Sequence, residues 1–151
     1  MKIETKIIIR PMTEEDILEV LEIEKESFAT AWTYHAFRLE LKNRLAVYLV
    51  AAADDRIAGY GGMWLILDEA HVTNVAVHPY FREQRVGQRI MEALIEEARS
   101  RSLMRMTLEV RKNNDPAIRL YKKLHFLMAG IRPGYYQDTG EDALIMWKEL
   151  S

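Results

Sequence analysis

The chain has 151 residues, of which 49% are apolar and none is cysteine. This is a globular composition with enough length to bury one core, and it excludes a disulfide framework, a thiol nucleophile and a cysteine-based metal centre. The formal net charge of −2 argues against a surface that coats nucleic acid, and no apolar run approaches the about 20 residues that span a bilayer.

One domain over residues 1–151 is expected. No metal is expected, because His35, His71, His78 and His125 lack ligand spacing. The opening Met1-Lys2-Ile3-Glu4-Thr5-Lys6 has no signal-peptide h-region, which predicts a cytoplasmic protein. Lys6 to Arg10 is a β-branched run closed by Pro11. Thr13-Glu14-Glu15-Asp16 reads as a helix cap with an acidic first turn, followed at helical spacing by Ile17, Leu18, Val20, Leu21 and Ile23. A second short helix starts at Trp32-Thr33 and carries Phe37 and Leu41. Ala46 to Ala53 and Ile57 to Leu67 read as strands joined by the turn Asp54-Asp55-Arg56. Gly59, Gly61 and Gly62 mark a bulge or a close approach of another element.

Asp68-Glu69 then leads into a strand from Ala70 to Val77. A helix runs from about Val86 to Ser100, with Val86, Ile90, Leu94 and Ala98 as its inward stripe. Met104 to Val110 is a strand. Asp115 is read as the N-cap of the next helix, with Pro116 at its first position and Ile118, Leu120, Tyr121 and Leu124 along it. Strands at Phe126 to Ile131 and Ala143 to Trp147 complete the set, separated by a loop that contains Pro133-Gly134-Tyr135-Tyr136. The order implies a mixed sheet with helices on both faces. The unit from Ala70 to Val110 should be a right-handed crossover between parallel strands.

The stretch from Asn74 through Val75, Ala76 and Val77 to Arg89 carries most of the chemistry. A strand ends there, a charged loop follows, and a helix opens near Gly87. Such a junction combines unpaired backbone N–H groups with the positive end of a helix dipole, which suits a phosphate or pyrophosphate. The rival is a solvated turn. Glu109, on the apolar run Met106-Thr107-Leu108-Glu109-Val110, is either a solvent-facing strand residue or a base aimed into a cleft. Tyr121 reads as packing or as an acid, Asn113-Asn114 as turn residues, and the methionines as core filler. His71 and His78 read as surface or satisfied polar residues.

Together these segments resemble the GNAT superfamily of acetyl-CoA-dependent N-acetyltransferases. The superfamily signature Gln/Arg-x-x-Gly-x-Gly/Ala appears as Arg82-Glu83-Gln84-Arg85-Val86-Gly87. Within the superfamily the chain is most similar to the bacterial ribosomal-protein alanine N-acetyltransferase branch. Four segments carry that: Asp68-Glu69-Ala70 into Asn74-Val75-Ala76-Val77; Leu108-Glu109-Val110-Arg111 with Asn113-Asn114; Ala117-Ile118-Arg119-Leu120-Tyr121; and Ile131-Arg132 to Tyr135-Tyr136, then Gly140-Glu141-Asp142-Ala143.

The resemblance implies an α/β, α+β-like fold: a central mixed, twisted sheet splayed between its fourth and fifth strands, with acetyl-CoA wedged there. Backbone groups of Val75, Ala76 and Val77 would pair with the pantetheine arm. Arg82, Glu83, Gln84, Arg85, Val86, Gly87 and Gln88 would hold the pyrophosphate, and Asn114 would contact the cofactor farther on. Glu109 matches the family's general base and Tyr121 its general acid. An α-amine with a pKa of about 7.7–8.0 needs only modest help to lose its proton, and a phenol near 10 suits a departing thiolate. A strand N–H would stabilise the oxyanion of the attack.

Two positions depart from the family pattern. Arg85 stands where the signature has its first glycine, Glu83 rather than a small residue stands before Gln84, and Leu124-His125-Phe126 replaces a Leu-Gly-Phe helix end, losing a C-cap glycine. The branch further implies a monomer that acetylates the N-terminal alanine of a small-subunit ribosomal protein, without direct nucleic-acid or membrane contact. Trp32, Tyr135 and Tyr136 would bind the peptide, and Glu141 and Asp142 would favour its basic tail. Acceptors of the wider superfamily, namely other protein N-termini, lysine or small amines, are the alternative, as is a weakly active CoA-binding module.

Overall fold

The computed structural model describes residues 6–27 and 32–151; residues 1–5 of the segment read for targeting lie outside them. In chain order the elements are β1 (Ile7–Pro11), a 3₁₀ turn (Glu14–Asp16), α1 (Ile17–Ser27), α2 (Tyr34–Glu40), β2 (Ala46–Ala53), β3 (Arg56–Ile66), β4 (Glu69–Val77), a second 3₁₀ turn (Pro79–Phe81), α3 (Val86–Ser100), β5 (Arg105–Arg111), α4 (Asp115–Lys123), β6 (Leu127–Arg132) and β7 (Ala143–Glu149). The strands pair in one seven-stranded sheet in the order β1-β2-β3-β4-β5-β7-β6. β4 runs parallel to β5, as the crossover reading expects, while the β1–β2, β2–β3, β5–β7 and β6–β7 pairs are antiparallel. The β4–β5 register is short, from Glu69↔Arg105 to His71↔Thr107. β4 continues to Val77 and β5 to Arg111.

The chain divides into two compact units, Met1–Trp64 with Thr73–Leu94 and Leu65–Val72 with Ile95–Ser151. In the first, Ile17, Val20 and Ile23 of α1 join Phe37, Tyr48, Val50 and Tyr60 in a buried cluster. The start of α1 is fixed by Asp16, whose carboxylate accepts the Thr13 N–H at 2.8 Å and both Arg10 guanidinium nitrogens at 2.7 and 2.8 Å. The first turn there is 3₁₀ rather than α, a common form for helix ends. The glycines of β3 mark a close approach: a Cβ on Gly61 would lie 2.5 Å from Ile90 Cγ2, and one on Gly59 2.9 Å from the Ala76 carbonyl oxygen. That lets the Val86–Ile90–Leu94 stripe of α3 press on the strand backbone. The alternate residue Tyr60 faces the other way, with its ring 5.9 Å from Phe37 of α2. Helices therefore cover both faces of β3.

In the second unit Met106, Leu108 and Val110 of β5 are buried on one face, together with Met146 of β7 and Phe126. The start of α4 differs by one residue from the sequence reading. Asn114, not Asp115, is the N-cap, its side-chain oxygen accepting the Ala117 N–H at 3.3 Å, and Pro116 falls at the second helical position. Asp115 instead adds an anion to the first turn, where the helix dipole favours it. The far end of α4 keeps a Schellman closure without glycine. The Phe126 N–H reaches the Tyr121 carbonyl and the His125 N–H the Lys122 carbonyl, each at 2.9 Å, with His125 at φ 71°.

Candidate active site

The loop before α3 is built to receive an anion. Glu83 and Arg85 both adopt left-handed backbone, φ 64° and 62°. That alternation turns successive amides toward one side, in the manner of an anion-binding nest. The Arg82 N–H is spent on the Pro79 carbonyl and the Arg89 N–H on the Arg85 carbonyl. Between them the N–H groups of Glu83, Gln84, Arg85, Val86 and Gly87 have no acceptor among the described residues. These donors sit at the positive end of a 15-residue helix, with the exposed side chains of Arg82 and Arg85 beside them. Gln84 turns its side-chain amide back to the Tyr80 carbonyl at 3.3 Å, and Gln88 is half-buried. The left-handed position of Arg85 also explains why the family signature has glycine there. On the preceding strand Ala76 is buried, whereas Val75 and Val77 are half-buried. A pyrophosphate-bearing ligand fits this donor set.

Glu109 is neither a free solvent-facing carboxylate nor a naked one. Its side chain is 10% exposed, and each oxygen has a cationic or polar partner. His71 Nε2 lies 2.7 Å from Oε2, and Arg132 Nη1 donates to Oε1 at 3.1 Å. Burial alone would push the carboxyl pKa upward. The hydrogen bond and charge of His71, then those of Arg132, outweigh it and hold Glu109 below the usual carboxylate value. The residue is thus ionised and fixed in orientation. His71, read from sequence as a surface or satisfied polar residue, is satisfied by this very carboxylate.

Tyr121 lies half-buried on α4 with its ring 5.8 Å from Phe126, and its hydroxyl has no hydrogen-bond partner among the described residues. Burial pushes its pKa up to about 12, so the phenol keeps its proton at neutral pH. In the β6–β7 loop, Tyr135 and Tyr136 meet edge to face at 5.0 Å. Tyr135 is 42% exposed and lies under the Arg132 guanidinium at 4.8 Å, whereas Tyr136 is half-buried against Arg111 at 4.0 Å. Arg111 also pairs with Asp138 at 2.9 Å and Glu141 at 3.4 Å. Asp142 accepts the Gly134 N–H at 3.0 Å. Glu141 and Asp142, expected from sequence to attract a basic tail, are therefore occupied in shaping their own loop. Asn114, expected to touch the cofactor, uses its side-chain oxygen to cap α4. Trp32 packs on Phe37 at 5.0 Å, just ahead of the α2 N-cap Thr33.

Sequence reading missed two features. One is the clamp on Glu109, whose partners lie 38 and 23 residues away in the chain. The other is Glu24, a carboxylate 1% exposed that Trp32, Tyr60 and Asn74 all reach. Its signal was present: Glu24 follows Ile17, Val20 and Leu21 on the apolar stripe of α1.

Comparison with known proteins decides the family. The model of the acetyltransferase (GNAT) family matches residues 17–126. The chain belongs to the GNAT family. A Bacillus subtilis (strain 168) protein, named provisionally as a ribosomal protein bS18-alanine N-acetyltransferase, is 44% identical over 148 residues, 97% of this chain and 98% of that one. The ribosomal protein bS18-alanine N-acetyltransferase of Salmonella typhimurium is 36% identical over 138 residues, 90% of this chain and 93% of its own. The crystal structure of the Escherichia coli ribosomal-protein-S18-alanine N-acetyltransferase superposes with a TM-score of 0.88 at 31% identity, covering 97% of this chain and 95% of that one. The GNAT fold and an acetyltransferase assignment follow, and the anion cradle before α3 lies within the matched residues.

Proposed function

We propose that this GNAT enzyme transfers the acetyl group of acetyl-CoA to the N-terminal α-amine, an alanine, of the small-subunit ribosomal protein bS18. Residues 1–151 act as one domain and as a cytoplasmic monomer, without direct contact to nucleic acid. The observation that carries the reading is the row of five amides from Glu83 to Gly87 that have no acceptor among the described residues. The acceptor rests on the names of relatives that align along nearly the whole chain.

In this reading the amides of Glu83 to Gly87, with Arg82, Arg85 and Gln88, bind the pyrophosphate. The backbone of Val75, Ala76 and Val77 binds the pantetheine arm, and Asn114 offers its remaining amide protons. Acetyl-CoA, once bound, supplies an acetyl group activated as a thioester. Glu109 takes a proton from the substrate ammonium through a water, and His71 and Arg132 keep that carboxylate ionised and aimed. As the amine nitrogen bonds to the acetyl carbon and the C–S bond breaks, Tyr121 gives its proton to the departing thiolate and recovers one from the amine nitrogen, which sheds its second proton on becoming an amide. No side chain becomes acylated, so the absence of cysteine costs nothing. Tyr135, Tyr136 and Trp32 contact the acceptor peptide, aromatic side chains giving large contact area at low entropic cost.

The test is release of free CoA from acetyl-CoA by an alanine-initiated basic peptide, with its α-amine free or blocked. Release with the free peptide alone supports the proposal. Equal release with both peptides, or release driven only by a polyamine, contradicts it.

A further inference from the structure

Glu24 is a buried carboxylate that forms no ion pair among the described residues. Trp32 donates its backbone N–H to Oε2 at 2.7 Å, while Tyr60 Oη–H and Asn74 Nδ2–H reach Oε1 at 2.5 and 3.3 Å. Burying a carboxylate on neutral donors alone is expensive, and a leucine would serve a purely structural core better. What the carboxylate adds is a junction of three elements. Trp32 immediately precedes the Thr33 cap of α2, Tyr60 lies at the centre of β3, and Asn74 stands one residue before the Val75–Val77 segment of β4. Burial first, and then the Glu24 charge, push the Tyr60 hydroxyl well above its ordinary pKa, so it stays a donor. The aromatic face of Trp32 is set in turn by Phe37 at 5.0 Å and Tyr48 at 6.4 Å.

We infer that Glu24 is a positioning residue for the acceptor: by accepting the Trp32 N–H it fixes Trp32, just ahead of the α2 cap, in the position that meets the peptide. This rests on the proposed contact of Trp32 with the peptide. What the role requires is an acceptor atom, not a charge. In Glu24→Gln, Oε1 can still accept from Trp32, while the amide nitrogen donates to a turned Tyr60 hydroxyl and a flipped Asn74. In Glu24→Leu nothing accepts, and the Trp32 N–H is left unpaired.

The experiment measures peptide KM, kcat and acetyl-CoA Kd in Glu24→Leu, Glu24→Gln and Trp32→Ala. Glu24→Leu should raise peptide KM about ten-fold, the equivalent of about 1.4 kcal/mol, with kcat and acetyl-CoA Kd little changed. Glu24→Gln should restore KM to near the parent value. A parent-like KM in Glu24→Leu overturns the inference, as does an equal loss of acetyl-CoA affinity, which marks a merely structural role. Should Trp32→Ala raise KM while Glu24→Leu does not, the peptide contact stands and only the inference falls; should neither raise it, both fall. If Glu24→Leu does not fold, amide hydrogen exchange in the parent protein decides. A Trp32 N–H protected in the parent and in Glu24→Gln supports the role, and exchange at the unprotected rate overturns it.

Discussion

Replacing Arg85 by glycine separates two effects that this residue combines. Its backbone sits at φ 62°, in the region that costs an L-residue about 1–2 kcal/mol. Glycine removes that penalty but adds unfolded-state entropy worth about 0.5–1 kcal/mol, leaving a net gain of roughly 0.5–1 kcal/mol. For a chain of this length that is a rise in Tm of about 1–4 °C. The same change removes an exposed guanidinium beside the unpaired amides. An exposed charge pair contributes about 0.2–1 kcal/mol, so CoA affinity should fall by about 1.5- to 5-fold. Arg85→Ala loses the same charge while keeping the strain, so it should show the affinity loss without the gain in Tm. Thermal unfolding of the apo protein and titration calorimetry with CoA and with phosphate-free pantetheine read the two effects apart, and the CoA loss should shrink at high salt. A Tm unchanged or lowered in Arg85→Gly refutes the strain argument. Equal affinity losses for CoA and pantetheine refute the phosphate contact.

Glu109→Gln should lower turnover by roughly 10²–10⁴-fold with acetyl-CoA affinity unchanged, and near-parental turnover would remove the residue from the base role. Because two cationic or polar partners hold the Glu109 carboxyl below its ordinary value, Arg132→Met should move its titration to higher pH, as followed by ¹³C NMR of the carboxyl carbon; no movement would mean that the ion pair does not form in solution. Tyr121→Phe keeps the ring against Phe126 and should fold normally while turnover falls, whereas a loss of stability with intact specific activity would leave Tyr121 a packing residue. His125→Gly should raise Tm by about 1–4 °C for the reason given for Arg85, since its left-handed backbone closes α4 and its side chain is exposed; a lowered Tm would contradict the Schellman reading.

Much of this was legible in the residues, for reasons that are local. α3 begins and ends where its period-3.6 stripe does, at Val86 and Ser100, because the buried face dictates the helix. Gly59 and Gly61 announced a close approach, which α3 supplies, while Gly62 makes room for the Tyr48 ring. The α4 cap moved from Asp115 to Asn114 because both residues cap well and adjacent candidates compete. Of the left-handed residues, Arg85 and His125 stand where the family pattern has glycine, whereas Glu83 carries no such mark, since the chain accepts strain there without glycine. Glu109 was visible as a carboxylate on an apolar strand, but its state depends on His71 and Arg132, which only tertiary folding brings to it. Glu141 and Asp142 were legible as acidic residues, but their partners Arg111 and the Gly134 amide come to them only through folding.

The most direct test of the account is to map the acetyl group on a product peptide that begins with alanine and contains internal lysines. Tandem mass spectrometry after incubation with the enzyme and acetyl-CoA should place the acetyl group on the α-nitrogen of alanine, with the lysines unmodified. Acetylation confined to lysine side chains, or an unmodified peptide beside rapidly acetylated polyamine, would contradict it.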